Sequence, residues 1–117
     1  MKKIQIIKQN SQFKRLYQKG QSLVAPCLVC YIRKNSVNEV RLGLTVSKKI
    51  GGSVERNRAK RVMRVAAREA VAAGLNNADM LLVARGKTPF VKSTRVASEL
   101  LMLLKGAGYL NRGDDKQ

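Results

Sequence analysis

The sequence predicts a single domain of the α+β class, and three observations support this. The chain has 117 residues, 44% of them hydrophobic, which is enough for one core and short for two. Two segments in the first half alternate apolar and polar residues as strands do. Three other segments repeat apolar residues at helical spacing, and they are interleaved with the strands along the chain.

The first predicted element is a short amphipathic helix over residues 11–19. Phe13, Leu16 and Tyr17 recur at i, i+3 and i+4, and Gly20 is placed to end the helix. An aromatic pair at this spacing more often anchors a helix to a core than it binds a ligand, so the spacing alone favours packing.

Two strands follow, over residues 23–34 and 39–47. Pro26 interrupts the first strand early, and polar residues 35–38 between the strands predict a hairpin. The alternation assigns one face to the core, with Leu28, Cys30, Ile32, Val40, Leu42, Leu44 and Val46. The open face carries Val29, Tyr31, Arg33, Arg41, Gly43, Thr45 and Ser47. Such a face is commonly just solvated, but tyrosine and arginine on it would also hold a base or a phosphate.

A long helix over residues 53–73 follows a basic turn. Ser53 is placed to cap its start and Gly74 to end it. On a helical wheel its apolar side carries Val62, Val65, Ala66, Ala70 and Ala73. The opposite arc is polar and mostly cationic, with Arg56, Asn57, Lys60, Arg61, Arg64 and Arg68. Arg58 projects toward the margin of the apolar side, where its stem would pack and its charged head reach solvent.

The charge balance indicates a polyanionic partner. Lys and Arg number 24 and Asp and Glu number 7, for a net charge of +17. Between Arg41 and Arg68 there are nine basic residues and a single acid, Glu55. A solvated helix face usually mixes signs, so this concentration of one sign favours binding to nucleic-acid phosphates.

The remaining elements are a buried strand and a last helix. Residues 78–85 form a nearly continuous apolar run, typical of a strand inside a sheet. Residues 92–105 carry apolar residues at helical spacing, and Gly106 is placed to end that helix. We expect residues 1–10 and 107–117 to be loose tails.

Cys27 and Cys30 have the spacing of a redox centre or half of a zinc site. If both lie on one strand, their odd separation sends them to opposite faces, so that they neither pair nor share a metal. The chain has no His and no second Cys pair to complete a zinc site, so buried apolar roles are favoured.

Several classes of protein are disfavoured by composition. The absence of His and the scarcity of acids leave no evident general base, so catalysis by side chains is not expected. No apolar run approaches the ~20 residues of a membrane span, and the N-terminus lacks the apolar run of a secretory signal. We therefore expect a cytoplasmic protein that does not bind a membrane.

One stretch resembles the signature of the protein subunit of bacterial ribonuclease P. It runs from Arg41 to Arg61 and includes Arg41-Leu42-Gly43, Ser47-Lys48-Lys49-Ile50-Gly51 and the triplet Arg56-Asn57-Arg58. The resemblance extends from the Phe13 helix to Arg85. It implies the order α-β-β-β-α-β-α, with about four strands, a first strand split near Pro26 and a left-handed β-α-β crossover.

The resemblance also implies a function. In that family a catalytic RNA, acting with divalent ions such as Mg²⁺, hydrolyses precursor tRNA and releases the mature 5′ end. The protein is the non-catalytic subunit of this endoribonuclease, with no catalytic residues, no metal site of its own and no obligate protein partner evident. Its expected partners are the catalytic RNA of ribonuclease P and precursor tRNA.

The family's two binding surfaces carry over onto matching residues. The surface for the catalytic RNA corresponds to Lys48, Lys49, Arg56, Asn57, Arg58, Lys60, Arg61, Arg64 and Arg68. The cleft for the single-stranded 5′ leader corresponds to Phe13, Lys14, Tyr17, Tyr31 and Arg33, because aromatic rings stack on bases of any identity. Glu55 departs from a purely basic stretch.

Two alternatives remain open. A small module bound to ribosomal RNA would suit the same charge, and sedimentation with ribosomal particles would identify it. A nuclease acting without RNA has no evident site in the sequence, and cutting that persists after removal of all RNA would support it.

Overall fold

Five strands and three α-helices make up the part of the chain that the structure describes. This computed structural model describes residues 4–7 and 10–110. The elements in chain order are β1 (Ile4–Ile6), α1 (Asn10–Lys19), β2 (Gln21–Val24), β3 (Leu28–Lys34), β4 (Val40–Thr45), α2 (Ser53–Ala72), β5 (Ala78–Ala84) and α3 (Ser93–Gly106). Short 3₁₀ turns at Lys48–Ile50 and Thr88–Phe90 precede α2 and α3. The predicted α+β class is confirmed.

The strands form one mixed sheet in the order β1-β4-β5-β3-β2. β5 is central, as its apolar run predicts, with Leu81 and Leu82 fully buried on opposite faces. It pairs in parallel with β4 and antiparallel with β3. Since α2 connects β4 to β5, these three elements form the β-α-β crossover that the resemblance implies.

The predicted hairpin between residues 23–34 and 39–47 is wrong. β3 and β4 are not hydrogen-bonded to each other, because β5 lies between them. The turn that was expected to close the hairpin instead bonds to the segment that precedes β5: Asn35 N–H donates to Asn77 O at 2.8 Å, and Asn77 Nδ2 donates to Val37 O at 2.8 Å. The apolar side chains on both faces of β5 favour this central position over an edge.

The strand count also differs from the expectation of about four. The predicted strand over residues 23–34 is two strands, separated where Pro26 lacks a donor for the sheet. In the expected N-terminal tail, β1 pairs in parallel with β4, with Ile4 opposite Val40. Three residues are too few to show a periodic pattern, so this strand has no sequence signal. Of the expected C-terminal tail, Leu110 is buried and residues 111–117 lie outside the described part.

The main core lies between one sheet face and the helices α2 and α3. The face predicted for the core is confirmed, with Leu28, Ile32 and Val40 fully buried and Leu42 nearly so. The helices contribute the apolar residues Ala59, Val62, Met63, Ala66, Ala67, Ala70, Val96, Ala97, Leu100 and Leu104. None of the helices within residues 4–7 and 10–110 is both long and apolar enough to cross a membrane.

Both cysteines lie in this same core. Cys27 precedes β3 rather than belonging to it, so strand alternation does not separate the pair, and the prediction of opposite faces is wrong. Both are fully buried free thiols. Burial raises the pKa of Cys30 to about 12, and burial followed by the nearby Glu99 raises that of Cys27. Both thiols are therefore neutral near pH 7.

α2 begins one residue earlier than its predicted cap. Gly52, not Ser53, is the N-cap, and its N–H donates to Glu55 Oε1 at 3.0 Å. Glu55 therefore stabilises the positive end of the helix. The predicted stop is confirmed, because Gly74 follows the helix with a φ of 115° that favours glycine.

Candidate RNA interface

The cationic arc of α2 lies on the protein surface. Asn57, Arg61, Arg64 and Arg68 are exposed and Arg56 and Lys60 half-buried, while the opposite side of the helix is buried against the sheet and α3. Arg58 is exposed. Apolar residues at helical spacing fix which side of α2 faces the core, and the arginines and lysine are thereby directed outward.

No acidic side chain neutralises this arc. Within residues 4–7 and 10–110 the salt bridges are Arg41–Asp79 and Arg95–Glu99, neither of which involves α2. Glu55, the acid in the basic stretch, has an oxygen bonded to the N-cap. The closely spaced cations repel one another, and an array of phosphates would relieve that repulsion.

The turn before α2 brings two more cations to its N-terminus. Lys48 and Lys49 are exposed in the 3₁₀ turn, which Ser47 caps by accepting from Lys49 N–H at 3.3 Å. Gly51, with a φ of 146°, then turns the chain into α2. A Cβ at Gly51 would lie 3.0 Å from Glu55 Cβ, so the turn and the capping carboxylate are closely fitted. We call these lysines together with the cationic arc the basic surface.

A second surface lies between α1 and the other sheet face, and we call it the aromatic cleft. The rings of Tyr17 and Tyr31 meet edge to face, with centroids 4.7 Å apart and planes at 70°. Tyr17 is 45% exposed, which is far more than a core anchor requires. Phe13 is half-buried against a small cluster formed by Leu16 and Leu81 with Ile7. One aromatic residue of the pair in α1 therefore packs, and the other is largely open to solvent.

The cleft has an apolar floor beside these rings. Val29, Val83 and Thr45 lie in one row across β3, β5 and β4, and all three are half-buried. Val24, paired with Val29, is 60% exposed at the edge of the row. An apolar floor below exposed ring edges is a surface on which bases stack without regard to sequence.

Gly43 determines how closely α1 approaches the sheet, and the sequence analysis gave it no role. A Cβ at this position would lie 2.5 Å from Phe13 Cε1, so any larger residue would displace the ring. The signal was present, because a glycine inside a strand often marks a close approach.

The other residues expected in the cleft lie in two places. Lys14 is exposed, at about 100° from Phe13 on α1 and on the same flank as Tyr17. Arg33 lies one row beyond Tyr31 on β3 and lines a different groove, together with Arg15 of α1. The structure thus brings Phe13, Tyr17 and Tyr31 together but places Arg33 apart from them.

A buried polar cluster fixes the segment between β2 and β3. Glu99 Oε1 accepts from Cys27 N–H at 2.8 Å, and Thr88 Oγ1 donates to Cys27 O at 2.5 Å. Partial burial acts to raise the pKa of Glu99, but the Cys27 hydrogen bond and the Arg95 guanidinium outweigh it, so the pKa lies below its usual value. These groups satisfy backbone atoms and face no groove, which indicates a structural role.

The described residues do not provide a metal ligand set. Within residues 4–7 and 10–110, no three His, Cys, Asp or Glu side chains converge. Hard cations such as Mg²⁺ prefer carboxylate and phosphate oxygens, which this part of the chain does not cluster.

Comparison with known proteins identifies relatives over nearly the whole chain. A family model described as Ribonuclease P matches residues 1–108. A ribonuclease P protein component from Clostridium botulinum (strain Loch Maree / Type A3) is 38% identical over 106 residues, or 90% of this chain and 96% of the relative. The RNase P protein of Staphylococcus aureus superimposes with a TM-score of 0.78 at 32% identity, covering 93% of this chain and 100% of that one. That of Thermotoga maritima gives 0.76 at 28% identity, covering 87% and 96%.

Proposed function

The chain belongs to the ribonuclease P protein family, and we propose that it uses its two surfaces for two RNAs. It is an RNA-binding protein component of a ribonucleoprotein that processes tRNA 5′ ends together with an RNA subunit. In the proposal, the basic surface binds the catalytic RNA and the aromatic cleft holds the 5′ leader of precursor tRNA. The proposal places this work in the cytoplasm.

The protein's share of the work is binding rather than bond cleavage. The sequence contains no His, and its few acids are occupied at a helix cap or in salt bridges where the structure describes them. Such a chain is poorly suited to general acid-base catalysis. The proposal therefore assigns hydrolysis to the RNA subunit, whose phosphates would bind the Mg²⁺ ions that activate water and stabilise the leaving oxygen.

The observation that carries the first half of the proposal is the unneutralised basic surface. Lys or Arg side chains at Lys48, Lys49, Arg56, Arg58, Lys60, Arg61, Arg64 and Arg68 lie along one helix and the turn before it. α2 has 20 residues, so it is about 30 Å long and spans several phosphates of an RNA backbone. Contacts of this kind position a protein on RNA without reading its sequence.

The aromatic cleft suits a substrate whose sequence varies. Leaders of different precursors share only a backbone and stackable bases, and exposed ring edges with an apolar floor bind both purines and pyrimidines. In the proposal Tyr17 and Tyr31 contact leader bases, Phe13 supports the packing of α1, and Lys14 contacts a phosphate. Mature tRNA lacks the leader, so this contact would favour substrate over product.

Reconstitution is the direct test of the proposed function. The purified protein is mixed with a bacterial ribonuclease P RNA and a precursor tRNA at low, near-physiological Mg²⁺, and leader release is measured with each component omitted in turn. We expect stimulated cleavage that requires both RNA and protein, because the cations reduce repulsion between two polyanions that little Mg²⁺ leaves unscreened. Absence of stimulation together with tight binding to ribosomal RNA would refute the proposal in favour of a ribosomal module.

A further inference from the structure

A basic groove lies on the flank of α1 opposite Tyr17. It has a volume of about 400 Å³, and the side chains used below are Arg15, Arg33, Lys34, Asn35, Arg41 and Asp79. On α1, Arg15 is about 200° from Phe13 and about 160° from Tyr17. The helix therefore separates this groove from the aromatic cleft, although both open on the same sheet face.

The single acid in the groove already has its partners. Arg41 binds Asp79 in a bidentate manner, with Nε–Oδ1 at 2.7 Å and Nη2–Oδ2 at 3.2 Å. Asn35 Nδ2 donates to the same Oδ1 at 2.8 Å. Arg33 is the register partner of Asp79 on β3, yet it forms no salt bridge in the described part of the chain.

The groove consequently has an excess of positive charge. Arg15, Arg33, Lys34 and Arg41 contribute four positive charges and Asp79 one negative charge, which leaves three in excess. Arg15, Arg33 and Lys34 have no side-chain hydrogen bond to any residue in the described ranges. Asp79 holds Arg41 in place, so two free guanidinium groups and an ammonium surround a fixed ion pair.

This arrangement fits one oxyanion between Arg15 and Arg33. A planar guanidinium presents two parallel N–H donors that match two oxygens of a phosphate. One guanidinium comes from α1 and the other from β3, so a bound anion would also connect the helix to the sheet. The groove falls within the roughly 300–1,000 Å³ of ordinary ligand clefts, which is enough for a backbone phosphate with its sugar.

We propose that the basic groove is an RNA phosphate site, separate from the aromatic cleft and from the basic surface. The inference rests on the proposed function, because the RNA it binds is one of the two RNAs named there. The phosphate comes either from the leader, upstream of the nucleotides in the aromatic cleft, or from the catalytic RNA. Both sources present the same phosphodiester chemistry, so they are distinguished by experiment.

The test is the double variant Arg15→Ala/Arg33→Ala, which leaves the Arg41–Asp79 pair intact. One arm measures its affinity for ribonuclease P RNA alone over a series of salt concentrations. The other measures the affinity of the assembled holoenzyme for precursor tRNAs with leaders of 2, 5 and 10 nucleotides. Loss of the site should weaken one arm about tenfold and lower its log–log salt slope by roughly 0.7 to 0.9 per phosphate lost.

The arm that weakens identifies the source. A leader phosphate predicts a defect that grows with leader length and is absent for the shortest leader. A phosphate of the catalytic RNA predicts weaker binding before any substrate is added. Arg15→Lys/Arg33→Lys keeps the charge but loses the planar fork, so we expect it to recover the salt slope and only part of the affinity.

The matched control is Lys92→Ala/Lys105→Ala, which removes two exposed charges at the ends of α3. We expect less than about a twofold change from it in either arm. The proposal is overturned if the Arg15 and Arg33 variant, shown by circular dichroism to be folded, matches this control in both arms. Failure of the proposed function would look different, because the wild-type protein itself would then not stimulate cleavage.

Discussion

The two faces of the sheet are built differently. The face beneath α2 and α3 is fully covered, and Leu28, Ile32, Met80 and Leu82 lie in one continuous core. The face beneath α1 is covered by a helix of ten residues, and its cluster has Ile7, Leu16 and Leu81 as its buried members. The first face holds the fold together, whereas the second leaves tyrosines, valines and arginines accessible. Stability and RNA contact are thus assigned to opposite sides of the same strands.

The largest effect we predict separates the two faces at neighbouring positions of β5. Leu82→Ala empties a fully buried site in the main core and should lower the free energy of unfolding by about 2–5 kcal/mol. Leu81→Ala, equally buried beneath α1, should cost less, because a ten-residue helix can shift to fill the space. Urea denaturation measures both. Equal costs with full RNA binding by Leu81→Ala would contradict the division of roles.

The next effect concerns the aromatic cleft. Phe13→Ala/Tyr17→Ala should weaken binding of precursor tRNA by the holoenzyme, at about 1–3 kcal/mol for each base that loses its stacking partner. Binding of mature tRNA should not change. A control variant, Phe90→Ala, removes an aromatic side chain that is 68% exposed before α3 and should affect neither substrate. Equal weakening on both substrates would show that the α1 aromatics serve only the fold.

A smaller effect per residue is expected on the basic surface. Lys60→Ala/Arg64→Ala should lower the log–log salt slope for binding to ribonuclease P RNA by roughly 1.4 to 2, which is two phosphate contacts. Fluorescence anisotropy at several salt concentrations gives the slope. The Lys92→Ala/Lys105→Ala variant loses the same charge on α3 and should leave the slope nearly unchanged. Unchanged affinity and slope in Lys60→Ala/Arg64→Ala would mean that the interface lies elsewhere.

The smallest effect tests the polar cluster at the edge of the main core. The pKa of Glu99 is lowered in the folded protein, so its ionised form stabilises the fold above its unfolded pKa of about 4.5. That contribution is lost as pH falls through the lower folded pKa. Glu99→Gln should therefore flatten the decline of Tm below pH 4.5 and cost under about 1 kcal/mol near pH 7. An unaltered acid profile would show that other carboxylates control it.

The local elements were predictable from sequence because their signals are local. Apolar spacing located all three helices, and alternation in residues 40–45 assigned the correct face to the core. The hairpin failed because the choice of strand partner depends on β5, more than thirty residues later in the chain. β1 was missed because three residues carry no period. Local patterns therefore define elements well and their neighbours poorly.

The site was predictable to a similar degree. The cationic arc follows from helical periodicity and is exposed as expected, and Tyr17 meets Tyr31 across the cleft. The separation of Arg33 from Tyr31 was not predictable, because it depends on where α1 crosses the sheet. That position in turn depends on Gly43, whose hydrogen in place of a side chain admits the Phe13 ring. Register and helix placement are tertiary facts that no short motif encodes.

The central position of β5 has a consequence for the order of folding. β5 is the only strand that joins the β1–β4 pair to the β3–β2 pair, since no strand of one pair bonds directly to the other in the described sheet. During synthesis the first half of the chain can form hairpin β2–β3 and helix α1, but the sheet stays in two pieces until residues 78–84 leave the ribosome. Until then the apolar faces of β3 and β4 are exposed to self-association. Closure of the sheet is a single late, long-range event, and we expect it to limit the folding rate.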